Sequence, residues 1–176
     1  SGVPLNDEVG TLEIAMRVTD QSGLAATETF ALTVLNVNDA PIVVNALVDQ
    51  SAAEDSPFTF TMPSATFADV DAVHGDHLTY SATLADGSPL PSWLSFDSTT
   101  RTFAGTPSLG AAGVLQVTVI ATDTTGASTT DQFALTVSGP LPQILTGTAG
   151  NDILTGGRGD DTLRGLAGND LLNGGQ

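Results

Sequence analysis

The chain has 176 residues, with four arginines, no lysine and 20 acidic side chains, for a formal charge of −16. A charge that negative repels nucleic-acid phosphates and anionic lipid surfaces, which makes both poor partners and cations good ones. No cysteine is present, so disulfide frameworks, thiolate metal sites and cysteine nucleophiles are excluded, and no apolar run approaches the roughly 20 residues that cross a bilayer as a helix.

Short alternating runs of Val, Thr, Leu and Phe between Gly, Asp, Asn and Pro punctuation predict an all-β chain. The first pair of runs, at 12–19 and 27–37, flanks an Asp-x-x-Gly turn at Asp20 and Gly23. Its sequence, GTLEIAMRVTDQSGLAATETFALTV from Gly10, aligns without a gap on GVLQVTVIATDTTGASTTDQFALTV from Gly113. Asp20 falls on Asp123, Gly23 on Gly126, Phe30 on Phe133 and Val34 on Val137, so a duplicated closing hairpin is expected. Ahead of the second copy, from Pro41 onward, PFTFTM, HLTYSATL, WLSFD and RTFAGTP add further strand and turn signals. Together they make a unit of about 100 residues, 39–139, enough for an antiparallel β-sandwich with its own core. The first copy has no such front half, so residues 1–38 are expected to be the C-terminal hairpin of a truncated domain of the same kind. SGPLPQ opens a semi-rigid linker that reaches to residue 146. With no initiator methionine at its start and a repeating pattern at its end, the chain is expected to be a piece of a longer one.

Aspartate outnumbers glutamate sixteen to four, a bias that suits oxygen-only calcium loops on turn-forming backbone better than solvated helix faces. From residue 147 the chain reads GTAGNDILT, GGRGDDTLR, GLAGNDLLN and a partial GGQ, a period of nine. Gly150, Gly159 and Gly168 hold the fourth position, Asp152, Asp161 and Asp170 the sixth, and Leu154, Leu163 and Leu172 the eighth. Glycines permit tight turns of positive φ and free carbonyls for a metal, the aspartate adds a charged oxygen, and the leucine anchors a short strand. This pattern resembles the RTX (hemolysin-type) calcium-binding nonapeptide, which implies a β-roll and calcium at Asp152, Asp161 and Asp170 over residues 147–176. Thr148 and Leu166 replace the second glycine, which is expected to loosen those two turns. One coil of such a roll takes two nonapeptides, so Asp152 is expected to share an ion with Asp170, and residues 147–176, three copies without caps, are expected to be poorly ordered without calcium and at most weakly ordered with it.

A second set of carboxylates is dispersed. TFADVDAVHGDHLTYSATLADGSPLPSWLSFDSTTRTFAGTP followed by VIATDTTG resembles the dystroglycan-type cadherin-like, bacterial Ig-like domain, and NVNDAP at 36–41 resembles the linker between cadherin repeats. The resemblance implies that linker, Asp-x-Asp loop and A-x-D-x-x-G hairpin meet around calcium at one end of the sandwich. Carried over residue by residue, these are Asn38 and Asp39, Asp69 and Asp71, and Asp123. Where cadherin linkers usually carry Asp and Asn, this chain has Asn36 and Ala40, so one ion is expected at this junction instead of three. Four carboxylates gathered at one pole would repel one another unless a hard cation sat among them.

Other features carry less. His74 and His77 flank Gly75 and Asp76, but an i, i+3 pair on a loop without further ligands does not make a zinc site. Trp93, between Leu90 and Leu94, reads as core and not as a sugar-stacking platform. Glu54 and Asp55 read as turn residues, and no serine or histidine sits in a nucleophile constellation. The two resemblances together imply a non-catalytic, calcium-binding, extracellular module of a large bacterial RTX exoprotein or adhesin, secreted by a type I route, with a structural and cell-adhesion role. The alternative is a calcium-dependent module that binds polysaccharide or matrix protein. No nucleic acid, membrane insertion or enzymatic activity is expected.

Overall fold

Alternation with period two, interrupted by Asp and Gly, leaves the chain few options besides strands and turns. In a computed structural model, which describes residues 3–175, the regular elements are β-strands apart from two short 3-10 turns, Asn6–Glu8 and Val70–His74. The first hairpin joins β1 (Gly10–Thr19) to β2 (Ala25–Val34), with Gly10 facing Val34 and Thr19 facing Ala25. Asp20 shapes its turn by accepting the amides of Ser22 and Leu24 on Oδ1, at 2.8 and 2.9 Å.

The sandwich follows. Its strands are β3 (Ile42–Val43), β4 (Gln50–Ala53), β5 (Phe58–Thr61), β6 (Phe67–Ala68), β7 (Thr79–Leu84), β8 (Leu94–Asp97), β9 (Thr102–Gly105), β10 (Gly113–Thr122) and β11 (Ser128–Ser138). One sheet has the order β4-β11-β10-β7, the facing sheet the order β5-β9-β8, and β3 pairs with β6 beside them. β10 and β11 repeat the first hairpin pair for pair: Gly113 faces Val137 and Thr122 faces Ser128. Alternation sends Val117, Val119 and Ala121 of β10, and Phe133, Leu135 and Val137 of β11, into the space between the sheets. There they meet an aromatic cluster centred on fully buried Phe103, whose ring lies 4.5 Å from Phe96 and 5.4 Å from Phe133 between centroids. Trp93 is half-buried against this core, as a packing residue would be.

The nonapeptides wind differently. Strands β12 (Ile144–Thr146), β13 (Ile153–Thr155), β14 (Thr162–Arg164) and β15 (Leu171–Asn173) recur every nine residues. β12 pairs in parallel with β14 and β13 with β15, in each case 18 residues apart, so one coil consumes two nonapeptides. β12 lies within 140–146, the segment expected as linker, and supplies the first strand of the coil. Leu145, Leu154 and Leu163 are half-buried between the strand pairs, and Leu172 at the end is exposed. The two replaced glycines behave in opposite ways. Leu166 takes the left-handed φ of 67° that Gly157 and Gly175 take at its equivalent positions. Thr148 stays out of that region and instead turns its hydroxyl to the Asp152 carboxylate at 3.1 Å. An ion pair of Arg158 with Asp55, exposed on both sides, links the coil to the sandwich.

Candidate metal centres

The loop after β6 begins where Asp69 caps the 3-10 turn Val70–His74, its Oδ1 accepting the Asp71 amide at 2.8 Å. Gly75, at φ 96°, ends the turn in the left-handed region and returns the chain so that Asp76 comes back beside Asp69. Asp123 arrives from the β10–β11 turn. Its Oδ1 accepts the amides of Thr125, Gly126 and Ala127 at 2.7–2.9 Å, the same turn chemistry as Asp20. The result is a group in which one carboxylate oxygen from each of Asp69, Asp76 and Asp123 lies within 4.8 Å of the others.

The linker closes the same pole. Asn38 donates its side-chain amide to Asp123 Oδ2 at 2.8 Å, and the Asp39 amide donates to Asp71 Oδ2 at 2.6 Å. Asn38, Asp39, Asp69, Asp71 and Asp123 therefore converge, although Asp39 contributes its backbone there while its carboxylate accepts from the side chain of Asn6 at 3.0 Å. Asp76, which sequence reasoning noticed only as a neighbour of the histidines, is the added member. Its signal in the sequence is Gly75, the residue that lets the loop turn back. His74 is outside the group of Asp69, Asp76 and Asp123, with Nε2 2.8 Å from the Asn6 carbonyl oxygen.

Hydrogen bonding separates Asp69, Asp71 and Asp76 from other aspartates of the sandwich. Asp97 is satisfied by the amides of Thr99 and Thr100, Asp86 by Ser88, and Asp131 and Asp49 by the amides of Leu47 and Ala134. By contrast Asp69 Oδ2, Asp71 Oδ1 and Asp76 Oδ2 are buried with no partner. Buried carboxylate oxygens without donors are costly, and three of them at a pole that also holds Asp123 suit a hard, oxygen-seeking cation. Donors on the remaining oxygens of Asp123 and Asp76 favour the ionised form of those two. The Asn38 amide holds the Asp123 carboxyl below its ordinary value of 3.8, and the Thr124 hydroxyl and amide do the same for Asp76.

In the coil, the three sixth-position aspartates point toward the backbone. Asp170 Oδ1 accepts the Asp152 amide at 3.0 Å, and Asp161 Oδ1 accepts the Gln143 amide at 2.8 Å, each contact spanning 18 residues. Asp161 Oδ2 is buried without a partner. A side chain at Gly147, Gly156 or Gly165 would collide with the aspartate of its own repeat, which explains the first glycine of the period. Asp152 and Asp170 are thus neighbours across one coil, as the 18-residue spacing requires.

The RTX calcium-binding nonapeptide repeat model matches residues 146–176. Such repeats bind calcium, which supports Ca2+ as the ligand of this chain. No curated protein sequence matches the chain. Among solved structures, a protocadherin gammaB7 EC3-6 cis-dimer structure is 20% identical with a TM-score of 0.58, covering 76% of this chain and 34% of that one. The protocadherin gammaB4 extracellular domain is 17% identical with a TM-score of 0.56, covering 84% and 27%. An endo-fucoidan hydrolase of glycoside hydrolase family 107 is 23% identical with a TM-score of 0.48, covering 80% and 20%. The chain thus spans from a fifth to about a third of the length of these structures. The protocadherin likeness agrees with a cadherin-like Ig sandwich. Ig-like domains and RTX repeats are typically non-enzymatic and typical of secreted or surface proteins, and no helix among the described residues is long and apolar enough to cross a membrane. The family model described as "Putative Ig domain" matches residues 40–138, more than half of the sequence, and the chain belongs to that Ig-domain family.

Proposed function

We propose that the chain is a non-catalytic, calcium-binding module of a large bacterial RTX exoprotein or adhesin, working outside the cell after type I secretion. Within the Ig family the sandwich is assigned to the dystroglycan-type cadherin-like group, on the Asp69-x-Asp71 loop and the hairpin aspartate Asp123. One calcium ion is held at the linker pole by Asp69, Asp71, Asp76 and Asp123, with Asn38 and Asp39 bringing the linker to it. A second group, Asp152, Asp161 and Asp170, serves the coil. The observation that carries the reading is the set of three buried, donor-free carboxylate oxygens at the pole together with the 4.8 Å grouping of Asp69, Asp76 and Asp123.

Bound there, calcium supplies positive charge and asks for six to eight oxygens. The protein's part is to aim the carboxylates and to tie linker to sandwich. Because the ion binds only the folded pole, its concentration sets stability: the chain stays loose in calcium-poor cytosol and tightens outside. Calcium titration followed by thermal melting tests this. Chelation should lower the sandwich's melting temperature, and Asp71→Ala should remove most of the calcium response, whereas His74→Ala and His77→Ala should keep it. A full response in Asp71→Ala would sink the assignment. Adhesion to polysaccharide or matrix protein is the expected context, and a glycan array read with and without calcium addresses it.

A further inference from the structure

The hairpin β1–β2 presents a core face that no second sheet covers among the described residues; Val3, Pro4 and Glu8 border it beside Leu12, Leu32 and Val34. Its pairing is that of β10–β11 residue for residue, so each side chain has a counterpart whose surroundings are known. Phe30 is 47% exposed where Phe133 is 2% exposed, and Leu32 is 47% exposed where Leu135 is fully buried. Met16 is likewise exposed where Val119 is buried. The correspondence also runs upstream of the strands: Gly2, Pro4 and Gly10 align on Gly105, Pro107 and Gly113. Gly105 ends β9, the central strand of the facing sheet.

Polar groups and edges match as well. Glu28 stands at the position of Asp131, whose carboxylate accepts the Leu47 amide from the front half of the sandwich at 2.6 Å. β11 receives β4 on its outer edge in parallel, and β10 receives β7 on its outer edge in antiparallel. The equivalent edges of β2 and β1 are both unpaired among the described residues, and open edges are templates for strand addition.

We propose that β1–β2 is one half of a second Ig sandwich, and that its apolar face and two edges take up a polypeptide segment with the chemistry of residues 41–105. The interface is the one that the same chain already forms between its front half and β10–β11. The occupant supplies a β5-β9-β8-type sheet over Phe30 and Leu32, a parallel strand beside β2, an antiparallel strand beside β1, and a backbone amide for Glu28.

Residues 39–105 placed directly ahead of Val3, so that the added Gly105 stands where Gly2 stood, supply that segment at the matching junction. In the extended chain, amide exchange across 10–34 should slow to the level of 113–137, and a second cooperative melting step should appear. Phe30→Asp should abolish that step and leave the first. Fast exchange across 10–34 while 113–137 stays protected would overturn the proposal. The unextended chain gives an independent check: exchange across 10–34 should be fast at every protein concentration. Slow exchange there in a monomer would mean docking on the chain's own sandwich, slow exchange that grows with concentration would mean a second copy, and either result overturns the assignment.

Discussion

Replacing Asp76 with asparagine should lower the stability of the sandwich with calcium but not without it. Asp76 Oδ1 accepts from the Thr124 amide, the Thr124 hydroxyl and the His77 amide at 2.9, 2.6 and 2.7 Å, while Oδ2 is buried and has no donor. An asparagine keeps a carbonyl oxygen for those three donors and puts an amide where the orphaned oxygen was, within reach of the Asp69 and Asp123 carboxylates. Without calcium, the removed like charge and the gained donor offset the weaker bonds that a neutral oxygen accepts from Thr124 and His77, so the variant should melt no lower than the parent. With calcium, the ion loses a charged ligand. Extracellular modules bind at about 10⁻⁴ to 10⁻³ M, so about 10 mM calcium stabilises the parent by about 1.4–2.7 kcal/mol. For a domain of about 100 residues that is a rise in Tm of about 6–20 °C. An affinity about tenfold weaker removes about 1 kcal/mol of that gain, or about 4–8 °C. Trp93 is the chain's single tryptophan and packs on the sandwich core, so its fluorescence follows this transition without a signal from the hairpin or the coil. An unchanged calcium gain, or a parallel loss of stability in both conditions, would refute the reasoning.

Leu166 holds a φ of 67° at a position where the period calls for glycine, and left-handed backbone costs an L-residue about 1–2 kcal/mol. Leu166→Gly should therefore stabilise the coil by about 1 kcal/mol, read as a lower calcium concentration for coil formation by circular dichroism. Thr148→Gly should bring no such gain, because Thr148 does not use that conformation and bonds Asp152. Acid should loosen the linker pole. Asp123 and Asp76 have folded-state values held below 3.8 by Asn38 and Thr124, so their stabilisation is fully present above the unfolded value of about 3.9 and disappears as pH falls through the depressed one. The calcium-free melting temperature should drop below about pH 4, and Asn38→Ala should shrink that drop by removing the largest cause of the Asp123 shift. A melting temperature that stays flat down through this range would contradict it.

The amino-acid sequence by itself determined the parts of this protein that depend on neighbours along the chain. Period-two alternation and Asp-x-x-Gly turns act over a few residues, and so the hairpins at Asp20 and Asp123, their shared register and the nine-residue strand repeat of the coil were all legible in advance. Resemblance carried the loop and linker residues Asn38, Asp39, Asp69, Asp71 and Asp123 to one pole, where their backbone and side-chain contacts place them. What only the tertiary structure decided is which polar atoms remain without partners. Asp97 and Asp131 look like Asp71 in sequence, yet donors from nearby or distant backbone satisfy the first two while an oxygen of Asp71 is buried without one. Asp76 joins the pole because Gly75 reverses the chain, and Asp39 turns its carboxylate to Asn6, 33 residues away. The same limit separates Phe30 from Phe133: the shared FALTV segment and like alternation build hairpins of the same register, but burial requires a second sheet, and a sheet is a long-range object that alternation along one hairpin cannot encode.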